Sequence, residues 1–222
     1  MGISHFIEHL LFKGSEQVRS EEMNERLDRL LGGSNAFTSH EATVYYASTL
    51  PHKWTDLLST LTELMRPAFR QEDIDTERGV ILEEIAMYDD EPSSRLADAF
   101  ALAYWGEHPL GHLILGTKET VESLTREQIV RNYHERYGAS RVTLVVAGAF
   151  DADTLIDWAT TNLQDWQTGQ HGETRNQGRP VAPAPAIQIM TDEDLQRQQV
   201  TFATAGPPTG DPLSDAAYFL SR

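Results

Sequence analysis

Apolar residues at Ile3, Phe6, Ile7, Leu10 and Leu11 follow the rhythm of one helix face and predict an amphipathic helix over Ile3–Phe12. A second helix is expected from Ser20 to Leu31, opened by the capping-like Ser20-Glu21-Glu22-Met23 and stopped where Gly32-Gly33 turn the chain. From Ala36 to Leu50 the pattern becomes extended. Thr43 to Thr49 is rich in β-branched and aromatic residues, and Pro51 closes one or two strands. Helical spacing returns from Trp54 to Met65, breaks at Pro67, and resumes from Glu72 to Tyr88 and from Ser94 to Trp105. Further helices are expected from Thr117, from Thr125 (Thr125-Arg126-Glu127-Gln128 is a capping box) and from Asp151 to Leu163, with a buried strand at Arg141–Ala149.

Residues 168–186 carry glycine and proline without periodicity and read as a linker. Beyond them Ile187–Met190 and Gln199–Ala205 look like strands, followed by a helix at Asp215–Leu220. The expected organisation is an α+β domain over 1–166, a linker over 167–186, and the start of a second α+β domain over 187–222. That helix reaches Ser221-Arg222 without a cap, which is expected of a chain cut short.

Charge narrows the partners. Against 34 Asp+Glu stand 18 Lys+Arg, a net charge of -16, which disfavours nucleic acid and anionic membranes and favours a cationic peptide. No apolar run is long enough to span a bilayer. Met1-Gly2-Ile3-Ser4-His5 does not resemble a signal peptide, which favours the cytoplasm over the periplasm, although a start further upstream would leave the compartment open. The absence of cysteine excludes disulfides and thiolate metal sites, so a transition metal would need His and carboxylate ligands.

Such ligands occur on the first helix. At about 100° per residue, Glu8, His5 and His9 fall together on the face opposite the apolar stripe. Two histidines one turn apart suit a single tetrahedral Zn²⁺, and His5-Phe6-Ile7-Glu8-His9 places a carboxylate beside them as a general base for water. The five residues alone are also what a solvated helix face could carry by chance. Catalytic zinc usually takes a third protein ligand. On the helix after Glu72, the residues Glu77, Val80, Ile81, Glu84 and Tyr88 share a stripe, and a carboxylate buried there needs a partner. Helical phase selects Glu84 over Glu83 as the ligand and leaves Glu77, on the same face, to support it. His108 and His112 are separated by Pro109 and Gly111 and read as loop residues, while His40, His52, His134 and His171 have no partner at ligand spacing.

His5 to His9, the run Glu77-Arg78-Gly79-Val80-Ile81-Leu82-Glu83-Glu84-Ile85, Gly32-Gly33-Ser34-Asn35-Ala36-Phe37-Thr38, Tyr88-Asp89-Asp90-Glu91-Pro92, and His108-Pro109-Leu110-Gly111 with Gly116-Thr117 together resemble the pitrilysin, insulin-degrading enzyme and mitochondrial processing peptidase family. The bacterial processing-peptidase-like branch fits best. The resemblance implies zinc on His5, His9 and Glu84, water activation by Glu8, a catalytic contribution from Glu77, and a peptide adding a strand at Asn35, Ala36, Phe37 and Thr38. It implies a mainly antiparallel sheet with helices packed on one face, the first repeat of a two-repeat clamshell half, working as a homodimer or paired with a homologous second half. Family members begin with one or two strands before the metal helix and carry a whole second repeat. Here Met1–Ser4 and Ile187–Arg222 stand in those places, so truncation at both ends is expected. Two other readings stay open: a non-catalytic assembly subunit of the same fold, and a zinc-free peptide-binding module.

Overall fold

The computed structural model describes residues 1–166, 187–191, 195, 198–208 and 210–220. The linker expected over 167–186 lies outside the described residues. The elements run α1 (Ile3–Leu11), α2 (Ser20–Asp28), β1 (Leu31–Thr38), β2 (Thr43–Thr49), α3 (Trp54–Leu64), α4 (Gln71–Asp90), α5 (Pro92–Trp105), α6 (Lys118–Ser123), α7 (Arg126–Arg136), α8 (Ala152–Leu163) and α9 (Ser214–Leu220). Two units emerge, one of Met1–Met87 with Leu113–Arg175 and one of Tyr88–His112 with Asn176–Arg222.

In the first unit α1 is the organising element. Its Phe6, Ile7, Leu10 and Leu11 are buried together with Met23 and Leu27 of α2, Leu64 of α3, Ile74, Ile81 and Ile85 of α4, Val121 of α6 and Ile129 of α7. Burial of an apolar side chain of this size is worth about 1.5–3 kcal/mol, so α1 is pinned firmly enough to carry a site on its other face. Gly14 ends it: at φ 84 the backbone is left-handed, and a Cβ there would lie 2.1 Å from the Val18 carbonyl oxygen.

β1 and β2 form an antiparallel hairpin in which Thr38 pairs with Thr43, Phe37 with Val44 and Ala36 with Tyr45. Alternation turns Ala36, Thr38, Thr43 and Tyr45 inward, while Phe37, Val44 and Tyr46 are exposed. Helices therefore cover one face of an antiparallel sheet, and the fold is α+β. The chain leaves α2 differently from the expectation. Leu31 itself adopts φ 64, and Gly32 and Gly33 lie inside β1 at a register shift instead of forming a turn after the helix. Gly32 is required because a Cβ would sit 2.0 Å from the Ser48 carbonyl oxygen across the hairpin. Ser20 is likewise the first helical residue and not the cap, and Arg19 in the cap position makes no side-chain cap bond.

The capping box at Thr125 is present, with Thr125 accepting from the Gln128 backbone N–H and the Gln128 side chain accepting from the Thr125 N–H. A second box at Thr117 starts α6, and the Asp151 side chain caps α8. Three expected strands are not formed among the described residues. Residues 142–149, 187–190 and 199–205 are extended or irregular with no ladder partner among the described residues, and Val145, Ile187 and Phe202 are among their largely exposed side chains. β-Branched composition favours an extended backbone, but a strand exists only through hydrogen bonds to a neighbour. In the second unit α5 starts at Pro92, capped by Glu91, and packs on the short turn Pro109–Gly111. No helix among the described residues is long and apolar enough to cross a membrane.

Candidate metal centre

The face of α1 away from the core carries His5, Glu8 and His9, and α4 brings Glu77 and Glu84 to it. One Glu84 oxygen, Oε2, lies 3.6 Å from His5 Nε2 and 3.6 Å from His9 Nε2. Donor atoms of the three residues all lie within 4.8 Å of one another, the single such group able to hold a metal ion among the described residues. Tetrahedral coordination at about 2.0–2.1 Å separates donors by roughly 3.3 Å, close to the two 3.6 Å distances to Glu84, and side-chain rotation of the two histidines would close the rest of the cluster on an ion.

His9 is set by its second nitrogen. Nδ1–H donates to Glu77 Oε2 at 2.8 Å, because an ionised carboxylate can only accept, and the Nε2 lone pair is thereby turned toward Glu84. Lys13 Nζ holds the other Glu77 oxygen at 2.5 Å. Glu77 is 4% exposed. Burial pushes its carboxyl up, but the hydrogen bonds and charges of His9 and Lys13 outweigh that and hold it below the ordinary range. His9 is pushed down by burial, then lifted above its ordinary value by the Glu77 hydrogen bond and the charges of Glu77, Glu84 and Glu8. His5 behaves oppositely: burial, then repulsion from His9, lowers it to about 4, so its ring is neutral at physiological pH, the form that can bind a metal. Its Nδ1 is buried without a hydrogen-bond partner. Burial and the neighbouring Glu8 raise Glu84 despite the favourable His9. A cation at this point would favour the ionised Glu84 and use both free Nε2 lone pairs, so the donor set fits a divalent metal of the zinc type.

The stripe expected on α4 is shifted. Ile74, Glu77, Ile81 and Ile85 are buried, whereas Val80 and Tyr88 are each 43% exposed. Glu77 is thus the deeply buried carboxylate, and Glu84 lies at the stripe edge with its side chain 26% exposed, which is what access to a ligand requires. Glu8 is half-buried beside these groups, its Oε2 accepting from the Thr38 hydroxyl. Asn35, Ala36, Phe37 and Thr38 form the second half of β1, whose far edge is unpaired among the described residues. Ala36 and Thr38 point inward; Phe37 points outward, 6.5 Å from the Tyr46 ring. His108 caps the Pro109–Gly111 turn through Nδ1.

Two contributions escaped the sequence reading. Lys13 lies four residues after His9, a spacing that could have flagged it, although α1 ends at Leu11. Thr43 extends the Glu8–Thr38 contact through its hydroxyl, and Tyr45, on the same inward face of β2, meets the Tyr137 phenol; only the alternation of β2 hinted at Thr43 and Tyr45.

Comparison with known proteins adds to this geometry. The sequence profile described as insulinase (peptidase family M16) matches residues 1–118, and that described as the peptidase M16 inactive domain matches residues 123–222. The chain is 39% identical over 158 residues to an "uncharacterized zinc protease" of Mycobacterium leprae, covering 70% of this chain and 35% of that protein. With another so named from Rickettsia felis, identity is 34% over 210 residues, covering 93% of this chain and 49% of that one. A crystal structure described as a putative M16-like peptidase from Alicyclobacillus acidocaldarius superposes with a TM-score of 0.68 at 30% identity, over 76% of this chain and 39% of that chain. The first half of the periplasmic protease PqqL from Escherichia coli shares the fold with a TM-score of 0.68 at 24% identity, over 79% of this chain and 39% of that chain. The chain therefore spans about a third to a half of the length of these relatives.

Proposed function

From the chain's membership of the insulinase family of peptidases, family M16, and from its cluster of three donors beside a carboxylate, we propose that it is the metal-bearing part of a zinc-dependent endopeptidase. The observation that carries the reading is the approach of His5 Nε2, His9 Nε2 and Glu84 Oε2 within 4.8 Å, with Glu8 on the same helix face. His5, His9 and Glu84 hold the ion. When bound, zinc supplies Lewis-acid polarisation of the scissile carbonyl and acidifies the attacking water. Glu8 takes a proton from that water as it attacks the carbonyl carbon and returns it to the amide nitrogen as the C–N bond breaks. Glu77, itself held by Lys13, keeps the proton of His9 on Nδ1 and so keeps Nε2 available.

The substrate adds as a strand to the free edge of β1 at Asn35–Thr38, where backbone pairing tolerates many sequences. A net charge of -16 favours cationic peptides. Pairing with a homologous second half, in keeping with the two-part architecture of the structural relatives, completes the chamber. The intact Glu8 favours an enzyme over an assembly subunit, which has no need of a base at the metal.

Replacing Glu8 by Gln tests the reading. Elemental analysis should find one zinc per chain in both proteins, and cleavage of an unstructured peptide should be chelator-sensitive in the wild type and abolished in Glu8→Gln. A zinc-free wild type, or full-rate cleavage by the variant, would overturn it.

A further inference from the structure

Thr38 ends β1 on its inward face, directly across the hairpin from Thr43. Its hydroxyl donates to Glu8 Oε2, the carboxylate assigned above as the base. The Thr43 hydroxyl lies 3.3 Å from that of Thr38, and the Tyr45 phenol, two residues along the inward face of β2, lies 3.0 Å from the Tyr137 phenol. Each hydroxyl has one proton to give, and the ionised carboxylate at the end can only accept. Proton counting then fixes the direction of donation beside the carboxylate: Thr43 to Thr38, and Thr38 to Glu8. Donors aligned in series polarise one another, which strengthens the last bond. The neighbouring Tyr45–Tyr137 pair is anchored, because Tyr137 stacks on Tyr133 at 4.9 Å and its carbonyl accepts from the Trp166 indole.

We propose that Thr38 is a positioning residue, whose hydroxyl fixes one oxygen of Glu8 and thereby directs the other toward the water, while its backbone alone serves the peptide strand. The inference rests on the peptidase reading above. A carboxylate on a flexible side chain would otherwise sample rotamers in which neither oxygen reaches the proton it must take, and reach within hydrogen-bond distance is the first requirement of a general base. The assignment divides β1 by face. Outward and edge groups meet the peptide, and the inward Thr38 hydroxyl meets the catalytic machinery.

Thr38→Val preserves the β-branched shape and the strand backbone while removing the hydroxyl. A hydrogen bond to a charged group is worth enough that kcat should fall on the order of tenfold to a hundredfold, with KM changed by less than about twofold. Thr38→Ser, which restores the donor, should return kcat to within about threefold of wild type. Zinc should stay at one per chain, and in the Glu8→Gln background the Kd for an uncleaved peptide should be the same with Thr38 and with Val. An unchanged kcat in Thr38→Val, a rise in KM or Kd without a fall in kcat, or a Ser variant as impaired as the Val variant would each overturn the proposal. If Thr38→Val does not fold, Thr43→Val decides: loss of the next hydroxyl should lower kcat a few-fold, and an unchanged kcat overturns the chain. A Glu8→Gln protein with full activity would sink the peptidase reading itself, whereas an inactive Glu8→Gln beside a full-rate Thr38→Val sinks only this inference.

Discussion

Glu77 shows how single residues divide the work at the cluster. Its two oxygens are taken by Lys13 and His9 at 2.5 and 2.8 Å, so it is buried and closely paired, while Glu84 seven residues later is partly open and stands 3.6 Å from each histidine. Removing Lys13 should therefore reach the metal through two intermediates. In Lys13→Met the buried Glu77 loses one of its two compensating partners and accepts less firmly from His9, and zinc affinity should fall on the order of tenfold in a chelator competition. An unchanged affinity would show that Lys13 only packs on α4. The histidines give a pH signature in the metal-free protein. His5 falls from 6.5 unfolded to about 4 folded, so the folded state binds fewer protons between those values and stability rises with pH across that window. The size is on the order of 3 kcal/mol. His9, raised, contributes stability fully present below 6.5 and lost as pH climbs through its folded value; Glu77, lowered, contributes stability lost only as pH falls below 4.5. Glu84, raised, opposes His5 just above 4.5. Denaturant titrations of the metal-free protein from pH 4 to 7, compared with His5→Asn, should show a steeper rise in the wild type; parallel curves would place His5 in water.

At the scale of elements, local rules read the chain well where the energetics are local. The apolar rhythm of Ile3 to Leu11 gives α1, and the Thr125–Gln128 pair gives the start of α7. What local rules miss depends on distant partners. The stripe around Glu77 announces a buried carboxylate but not its partners, because the groups that stabilise it belong to α1 and the turn after it, and His9 is 68 positions away. Residues 142–149 have the composition of a strand and lack a described neighbour to pair with. Leu31 takes a left-handed backbone that a leucine rarely adopts, and Gly32 beside it presses against Ser48 across the hairpin, neither of which a local pattern announces. Two glycines test this distinction between local and distant causes. Gly32→Ala should lower the thermal midpoint by several degrees, since one or more kcal/mol of overpacking shifts a chain of this size by about 2–4 °C per kcal/mol. Gly79, exposed in the middle of α4 with nothing near its missing Cβ, should give a rise of about 2–3 °C on change to Ala, because glycine costs a helix interior roughly 0.5–1 kcal/mol. Equal shifts at both positions would mean that the hairpin is looser than the approach to Ser48 implies.

At the scale of the whole molecule, charge is the property that the sequence states most directly and the fold modifies least. With 34 acidic against 18 basic side chains, the chain carries a field that draws cations toward it from beyond contact distance. The candidate site concentrates that field, since Glu8, Glu77 and Glu84 converge on two histidines and Lys13. Even with a divalent ion bound there, the remaining surface stays strongly negative. Electrostatic steering acts on encounter and is screened over about 8 Å at physiological ionic strength, whereas the proposed bond-breaking step would take place inside that distance. For two peptides that share a cleaved segment and differ only in flanking lysines, kcat/KM should therefore fall with added salt for the cationic one, on the order of tenfold from low to physiological salt and above. The neutral peptide should change little, and kcat should hold for both. If the two peptides lose activity in parallel, the salt is acting on the pairing of halves or on the metal site, and substrate preference is set by the edge of β1 alone.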